Sequence, residues 1–201
     1  MRHGQTDYNA QGIVQGKGVD ISINETGKQQ ANAFYRNFKN ENFNVVFTST
    51  LRRTIESVSS FIRDEIPHRQ CSDIDEISWG EFEGRKSNSE LRQHYRELIN
   101  CWQAGELHKK ISGGESPIEL QNRVLKFVEL IKETPFEKAL ICSHGRTIRC
   151  LVCTLLGQDL RFMSDYPHEN LSLYKFEIVP NGVKLLLAND VEHLKDLNPV
   201  W

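Results

Sequence analysis

The chain has 201 residues, 38% hydrophobic and 26% charged, with a net charge of -2. These values fit a soluble globular protein with a sizeable core. They exclude a global electrostatic pull toward nucleic acid or acidic membranes, so any anion site must be local. No apolar run approaches the length of a membrane span, and no signal peptide is expected. The five cysteines do not make a disulfide framework. Cys150 and Cys153 form a C-x-x-C inside an apolar run and read as core thiols on one helix, so a reducing compartment, most simply the cytoplasm, is expected.

Taken in order, Met1 directly precedes Arg2 and His3, so no strand is expected to lead into that pair. Residues 10–23 read as loop. Asn24 is an N-cap for a helix with Ala31, Phe34, Tyr35 and Phe38 on one face. Residues 44–48 read as a short buried strand. Ser49 is then expected to cap a helix carrying Leu51, Ile55, Val58 and Ile62. A short strand is expected near 71–76, and polar helical character from Glu90 to Gln103. Ser116-Pro117 starts a helix with Leu120, Val124, Phe127, Val128 and Ile131 as its stripe. Residues 139–142 form an unalternating apolar run, as a central parallel strand requires, and Gly145 to Leu156 reads as a helix. Residues 171–179 and 183–188 read as two strands joined at Pro180-Asn181-Gly182.

Strands alternating with helices predict an α/β fold: a mostly parallel central sheet covered on both faces, α/β/α, in a single domain over 1–201. Ligands in such sheets bind beyond the carboxyl ends of the strands. Three polar clusters fall there: Ser49 to Arg53, Glu76, and Ser143-His144-Gly145. If Arg2, His3, Arg53, Glu76 and His144 converge, they form a metal-free phosphoryl-transfer site. Two guanidiniums and a charged histidine would bind the phosphate oxygens. A neutral imidazole would attack phosphorus, and a carboxyl would protonate the leaving oxygen and then accept a proton from water. Glu76 is the candidate carboxyl; Glu81 and Glu83 are close rivals, with a structural role the commoner reading for Glu83. A cation in the first helical turn opposes the helix dipole, so Arg53 favours anion binding over a structural role.

Six ordered blocks carry a resemblance: Arg2-His3-Gly4-Gln5-Thr6-x-x-Asn9, Gln15-Gly16, Ser49-x-Leu51-x-Arg53, Glu76-x-x-Trp79-Gly80-x-Phe82-Glu83-Gly84, Gly114-Glu115-Ser116 and Ser143-His144-Gly145. Together they resemble the histidine phosphatase superfamily in its phosphoglycerate-mutase-like branch. The resemblance implies His3 as the phosphorylated nucleophile, and Arg2, Arg53 and His144 as holders of the phosphoryl group. It implies Asn9, Gln15, Gly16 and Gly145 in the pocket lining, and Glu76 as acid/base. It also implies an apolar strand before Arg2, which is absent here, so the central sheet is expected to lack a strand. The Trp- and Glu-rich stretch 76–84 resembles phosphatase members more than mutases, so hydrolysis is expected, with mutase activity the alternative.

Residues 84–115 are expected to form a variable helical cover that sets substrate choice. Trp79 and Trp102 could wall the pocket, although core packing is their commoner use. Arg85 and Lys86 stand open between a solvated pair and a contact to a second anionic substrate group. His168 is a rim candidate; His68, His94, His108 and His193 read as surface residues. Outside this chemistry, a metal-dependent hydrolase lacks an H-x-x-x-H or similar spacing, and a non-catalytic phospho-ligand binder is the remaining class. No cofactor or metal is expected. The expected partner is a small phosphomonoester; sugar phosphates, a ribazole phosphate, phosphoglycerate and phosphoprotein are all compatible. Neither nucleic acid nor membrane is expected as a partner, and a homodimer is compatible but unreadable.

Overall fold

The computed structural model describes residues 1–197. Its centre is a parallel sheet in which β1 (Val45–Thr48) lies between β2 (His68–Gln70) and β3 (Ala139–Cys142). Val46 is opposite His68 on one side and Leu140 on the other. Side chains alternate between the two faces of the sheet. Val45 and Phe47 point toward α5 (Ser89–Gln103), α6 (Pro117–Glu133) and α7 (Gly145–Leu156), where they meet Phe127, Val124 and Leu151. Val46, Leu140 and Cys142 point the other way, toward Phe34 of α2 (Glu25–Phe38) and Phe61 of α4 (Ser59–Arg63). This is the expected α/β/α arrangement. Cys150 and Cys153 are buried free thiols on α7, as expected.

The first three residues occupy the free edge of β3. Met1 N donates to Ile141 O at 2.6 Å, Ser143 N to Met1 O at 2.9 Å, and His3 N to Ser143 O at 3.0 Å. On the other side Arg2 N donates to Ser172 O at 3.3 Å. A strand-like position therefore exists between β3 and the segment entering β4 (Leu173–Val179), although only one parallel bridge, Arg2 to Ser143, forms. β4 pairs antiparallel with β5 (Gly182–Asp190) across Pro180-Asn181, with Gly182 at φ 138°.

Four expectations need correction. Residues 71–76 are not a strand: Cys71 N makes the last bond to β1, at Thr48 O, and Ser72–Ile74 turn in a 3-10 helix. The paired segment is His68–Gln70 instead. Ser49 does not cap the next helix. Leu51 is the N-cap of α3 (Arg52–Ser57), and Val58 at φ -118°, ψ 13° separates α3 from α4. Residues 10–23 are not loop from their start, because Thr6 and Asn9 form a reciprocal capping box that nucleates α1 (Asp7–Gln11). His193 is buried against Phe34 and Phe38 rather than exposed.

Candidate active site

The carboxyl ends of β1 and β3 bring the two dispersed histidines together. The rings of His3 and His144 lie 5.2 Å apart, centroid to centroid, and both are buried. His3 Nδ1 is 2.7 Å from Gly4 O. A carbonyl only accepts, so Nδ1 carries the proton and the lone pair belongs to Nε2. Nε2 has no hydrogen-bond partner among the described residues and is not occluded from solvent. Burial, followed by the charges of Arg53 and Arg2, pushes the His3 imidazole well below its usual range. Asn170, not anticipated from the sequence, donates to His3 O at 2.9 Å.

Arg53 projects from the first turn of α3 and is fully buried. Its Nε donates to His144 Nδ1 at 3.1 Å, its Nη2 to Gly16 O at 3.3 Å, and its Nη1 to Val19 O. Of five N–H groups, two remain uncommitted among the described residues. His144 must accept from Arg53 at Nδ1, so its proton sits on Nε2, 2.7 Å from Ser49 Oγ. The expected charged histidine is not what this geometry builds. His144 is neutral, both its nitrogens are engaged, and burial with Arg53 and His3 pushes it well below the usual imidazole range. Ser49, expected as a helix cap, instead receives His144.

Arg2 donates through Nη1 to His168 O at 3.2 Å and lies 3.1 Å from His168 Nδ1. Its Nε is buried without a partner among the described residues. Burial, opposed by Glu76, lowers Arg2 to about 10. Burial and Arg2 hold His168 down to about 2, so this imidazole is neutral too. Gly145 allows this packing: a Cβ there would stand 2.6 Å from His168 Cε1.

Glu76 enters under the N-terminus of α7. Its Oε1 accepts from Ile77 N (3.0 Å) and Thr147 N (3.1 Å), and its Oε2 from Arg146 N at 3.3 Å. Helix N-termini favour such a carboxylate. Arg123 holds the backbone behind it, donating to Asp73 O, Asp75 O and Glu76 O at 2.9, 2.7 and 3.0 Å. Glu115 pairs with Arg123 at 2.9 Å; burial raises the Glu115 carboxyl, but Arg123 outweighs it and the net shift is downward.

The remaining sequence candidates divide. Gln15, Glu76 and Gly145 line a cavity of about 280 Å³ with Arg2, His168, Trp79 and Tyr95. Asn9 Oδ1 caps Thr6 and meets Asn170 Nδ2 at 3.3 Å. Gly16 offers its carbonyl to Arg53, and a Cβ there would overlap Glu83 Oε1 at 2.1 Å. Glu83 is structural, accepting from Gly18 N and Trp79 N at 2.9 and 2.8 Å. Glu81, Arg85 and Lys86 are exposed and do not line the cavity. From the 84–115 stretch, Ser87, Leu91, Arg92 and Tyr95 do line it. Arg146 lines it as well, and sequence reading missed it. The signal was available: like Arg53, it is a cation in a helix's first turn.

A parallel α/β/α sheet with two imidazoles and two guanidiniums gathered at its carboxyl ends defines a phosphoglycerate-mutase-like fold class. The chain belongs to the histidine phosphatase superfamily (branch 1), whose family model matches residues 1–191. It is 28% identical over 200 residues to phosphoserine phosphatase 1 of Hydrogenobacter thermophilus, covering 96% of this chain and 92% of that one. It is 31% identical over 205 residues to a Yersinia enterocolitica protein named "Probable phosphoglycerate mutase GpmB", covering 96% and 93%. Among solved structures, Bacillus stearothermophilus YhfR superposes with TM-score 0.83 at 26% identity, covering 96% of both chains. The alpha-ribazole phosphatase of Shigella flexneri superposes with TM-score 0.82 at 22% identity over 94% of each. No helix among the described residues is long and apolar enough to cross a membrane.

Proposed function

We propose that this chain is a phosphomonoester hydrolase working through a covalent phosphohistidine on His3. The observation that carries the reading is the His3 tautomer: the 2.7 Å bond to Gly4 O leaves Nε2 as a free nucleophile among buried guanidiniums. Nε2 attacks phosphorus, the N–P bond forms, and the ester P–O bond breaks. The departing alkoxide takes a proton from Glu76. Water then attacks the phosphohistidine, gives its proton to Glu76, and inorganic phosphate leaves as the N–P bond breaks. Arg2 and the two uncommitted N–H groups of Arg53 stabilise charge on the phosphoryl oxygens. His144 acts by orienting Arg53. In this reading the reaction uses protein groups only, which activity in the presence of chelator would test.

The test is a panel of phosphomonoesters assayed with chelator present, with trapping of acid-labile phosphate on the protein. Phosphate release and a trapped phosphoprotein are expected from the wild type and neither from His3→Ala. Unchanged turnover in His3→Ala would remove the nucleophile. The relative named as a mutase favours a second reading, in which the phosphoryl group returns to substrate. With 3-phosphoglycerate and a bisphosphorylated primer, a mutase makes 2-phosphoglycerate and a phosphatase releases inorganic phosphate.

A further inference from the structure

The phosphoryl chemistry leaves Arg146 unused. The residue is only 4% exposed, yet no carboxylate pairs with its guanidinium among the described residues. It stands over the indoles of Trp79 and Trp102, 5.9 and 5.4 Å from their ring centres. Nη2 donates to the hydroxyl of Tyr95, and Nη1 is occluded with no partner among the described residues. Arg149, one turn on, adds a second, half-buried cation, lowered by burial and by Arg146. A buried unpaired charge is costly unless a ligand completes it. The cavity wall holds Arg2, Arg92 and Arg146 against a single carboxylate, Glu76. One phosphoryl group held by Arg2 and Arg53 does not account for Arg146. The Arg146–Tyr95 pair is also supplied by two distant elements, α7 and the 89–103 helix, so it is a built feature of the cavity.

We propose that Arg146, with the Tyr95 hydroxyl it polarises, is the specificity-determining anchor for a second anionic group on the substrate, a carboxylate on the carbon skeleton that carries the phosphate. Tyr95 accepts from Arg146 and so has its own proton to donate to that group. The cavity of about 280 Å³ lies at the small end of ligand pockets, which fits a skeleton of a few carbons. The inference rests on the phosphatase reading for the phosphoryl end alone.

Binding to the His3→Ala variant tests it without turnover. By calorimetry, 3-phosphoglycerate is expected to bind at least about tenfold more tightly than glycerol 3-phosphate, which replaces the carboxylate by a hydroxymethyl. Adding Arg146→Met is expected to bring the ratio close to one, and adding Tyr95→Phe to lower it in part. Should Arg146→Met fail to fold, Arg146→Lys, which keeps charge but loses the fork, is expected to lower the ratio as Tyr95→Phe does. A ratio near one at the outset, no binding of either ligand, or a ratio that survives these substitutions in folded protein overturns the proposal. Tighter, Arg146-dependent binding of 1,3-propanediol bisphosphate than of 3-phosphoglycerate overturns the carboxylate assignment in favour of a second phosphate. Failure of the wild type to release phosphate would remove the hydrolase reading while leaving these binding ratios measurable.

Discussion

Arg53 Nε donates to His144 Nδ1 at 3.1 Å, and this one bond orients both residues. It sets the His144 tautomer, which in turn commits Nε2 to Ser49. It also keys the guanidinium so that its terminal nitrogens reach the Gly16 and Val19 carbonyls. Arg53→Lys should therefore behave as a disruptive change, since an ammonium cannot reproduce a planar three-way fork. The expected cost is about 2–4 kcal/mol of stability from lost charge-assisted bonds, with kcat/KM down by roughly a hundredfold or more. Thermal melts and steady-state kinetics check both; near-wild-type kinetics in Arg53→Lys would mean the fork has no role.

His3 supplies the pH prediction. Its imidazole is held well below 6.5, first by burial and then by Arg53 and Arg2. A base with a depressed pKa stays neutral, hence nucleophilic, as pH falls through 6.5. The acid limb of kcat/KM should accordingly lie well below 6.5, and activity should persist at mildly acid pH. The same depression affects folding: below 6.5 the unfolded chain takes up protons that the folded chain refuses, so stability falls with pH there. An acid limb centred at 6.5 in a pH–rate profile would contradict this assignment.

Glu76 should show its role through the leaving group. In Glu76→Gln the carboxamide cannot transfer a proton, and kcat for alkyl phosphates should drop roughly 10²–10⁴-fold. Hydrolysis of p-nitrophenyl phosphate, whose leaving group needs no proton, should lose far less in the phosphorylation step. Equal losses with both substrates, read in single-turnover experiments, would point to positioning rather than proton transfer.

Gly145→Ala places a Cβ 2.6 Å from His168 Cε1. The ring must shift, and Arg2 bonds that ring and its carbonyl, so Arg2 shifts with it. We expect KM to rise about tenfold, with a smaller change in kcat, because a misplaced cation weakens binding of the phosphoryl group. Unchanged KM would show that His168 does not set the position of Arg2.

Glu115→Gln should be felt at Glu76. It removes the carboxylate that faces Arg123, whose other donors hold the 73–76 backbone. Removing one partner of a largely buried pair costs about 3–5 kcal/mol. Since the folded carboxyl lies below 4.5, the pair's contribution is present above that pH and is lost as pH falls through the folded value. Denaturant melts at neutral and acid pH should show the mutant's deficit shrinking in acid.

Much of this was readable before any coordinates. Local patterns identify α2, β1, α6, β3, α7 and the β4–β5 hairpin, because apolar spacing and turn residues act over a few positions. The misplaced strand at 71–76 and the misassigned Ser49 are of another kind. The strand ends where β1 stops offering partners, and the Ser49 hydroxyl is shared among Leu51 N, Thr54 and the distant His144 instead of capping the helix. Both are decided by groups far along the chain.

By itself, then, the order of residues determined the elements, the α/β class and the identity of the groups that gather at the strand ends. Folding alone decided which of those groups are free and which are engaged. Among the described residues His3 keeps a bare Nε2, His144 gives both nitrogens to Arg53 and Ser49, and Arg146, a cavity-lining residue, is left with one occluded, unpartnered donor. The reason is that a hydrogen-bond partner is chosen by position in space, and Arg53 and His144, 91 residues apart, meet only when β1 and β3 lie side by side.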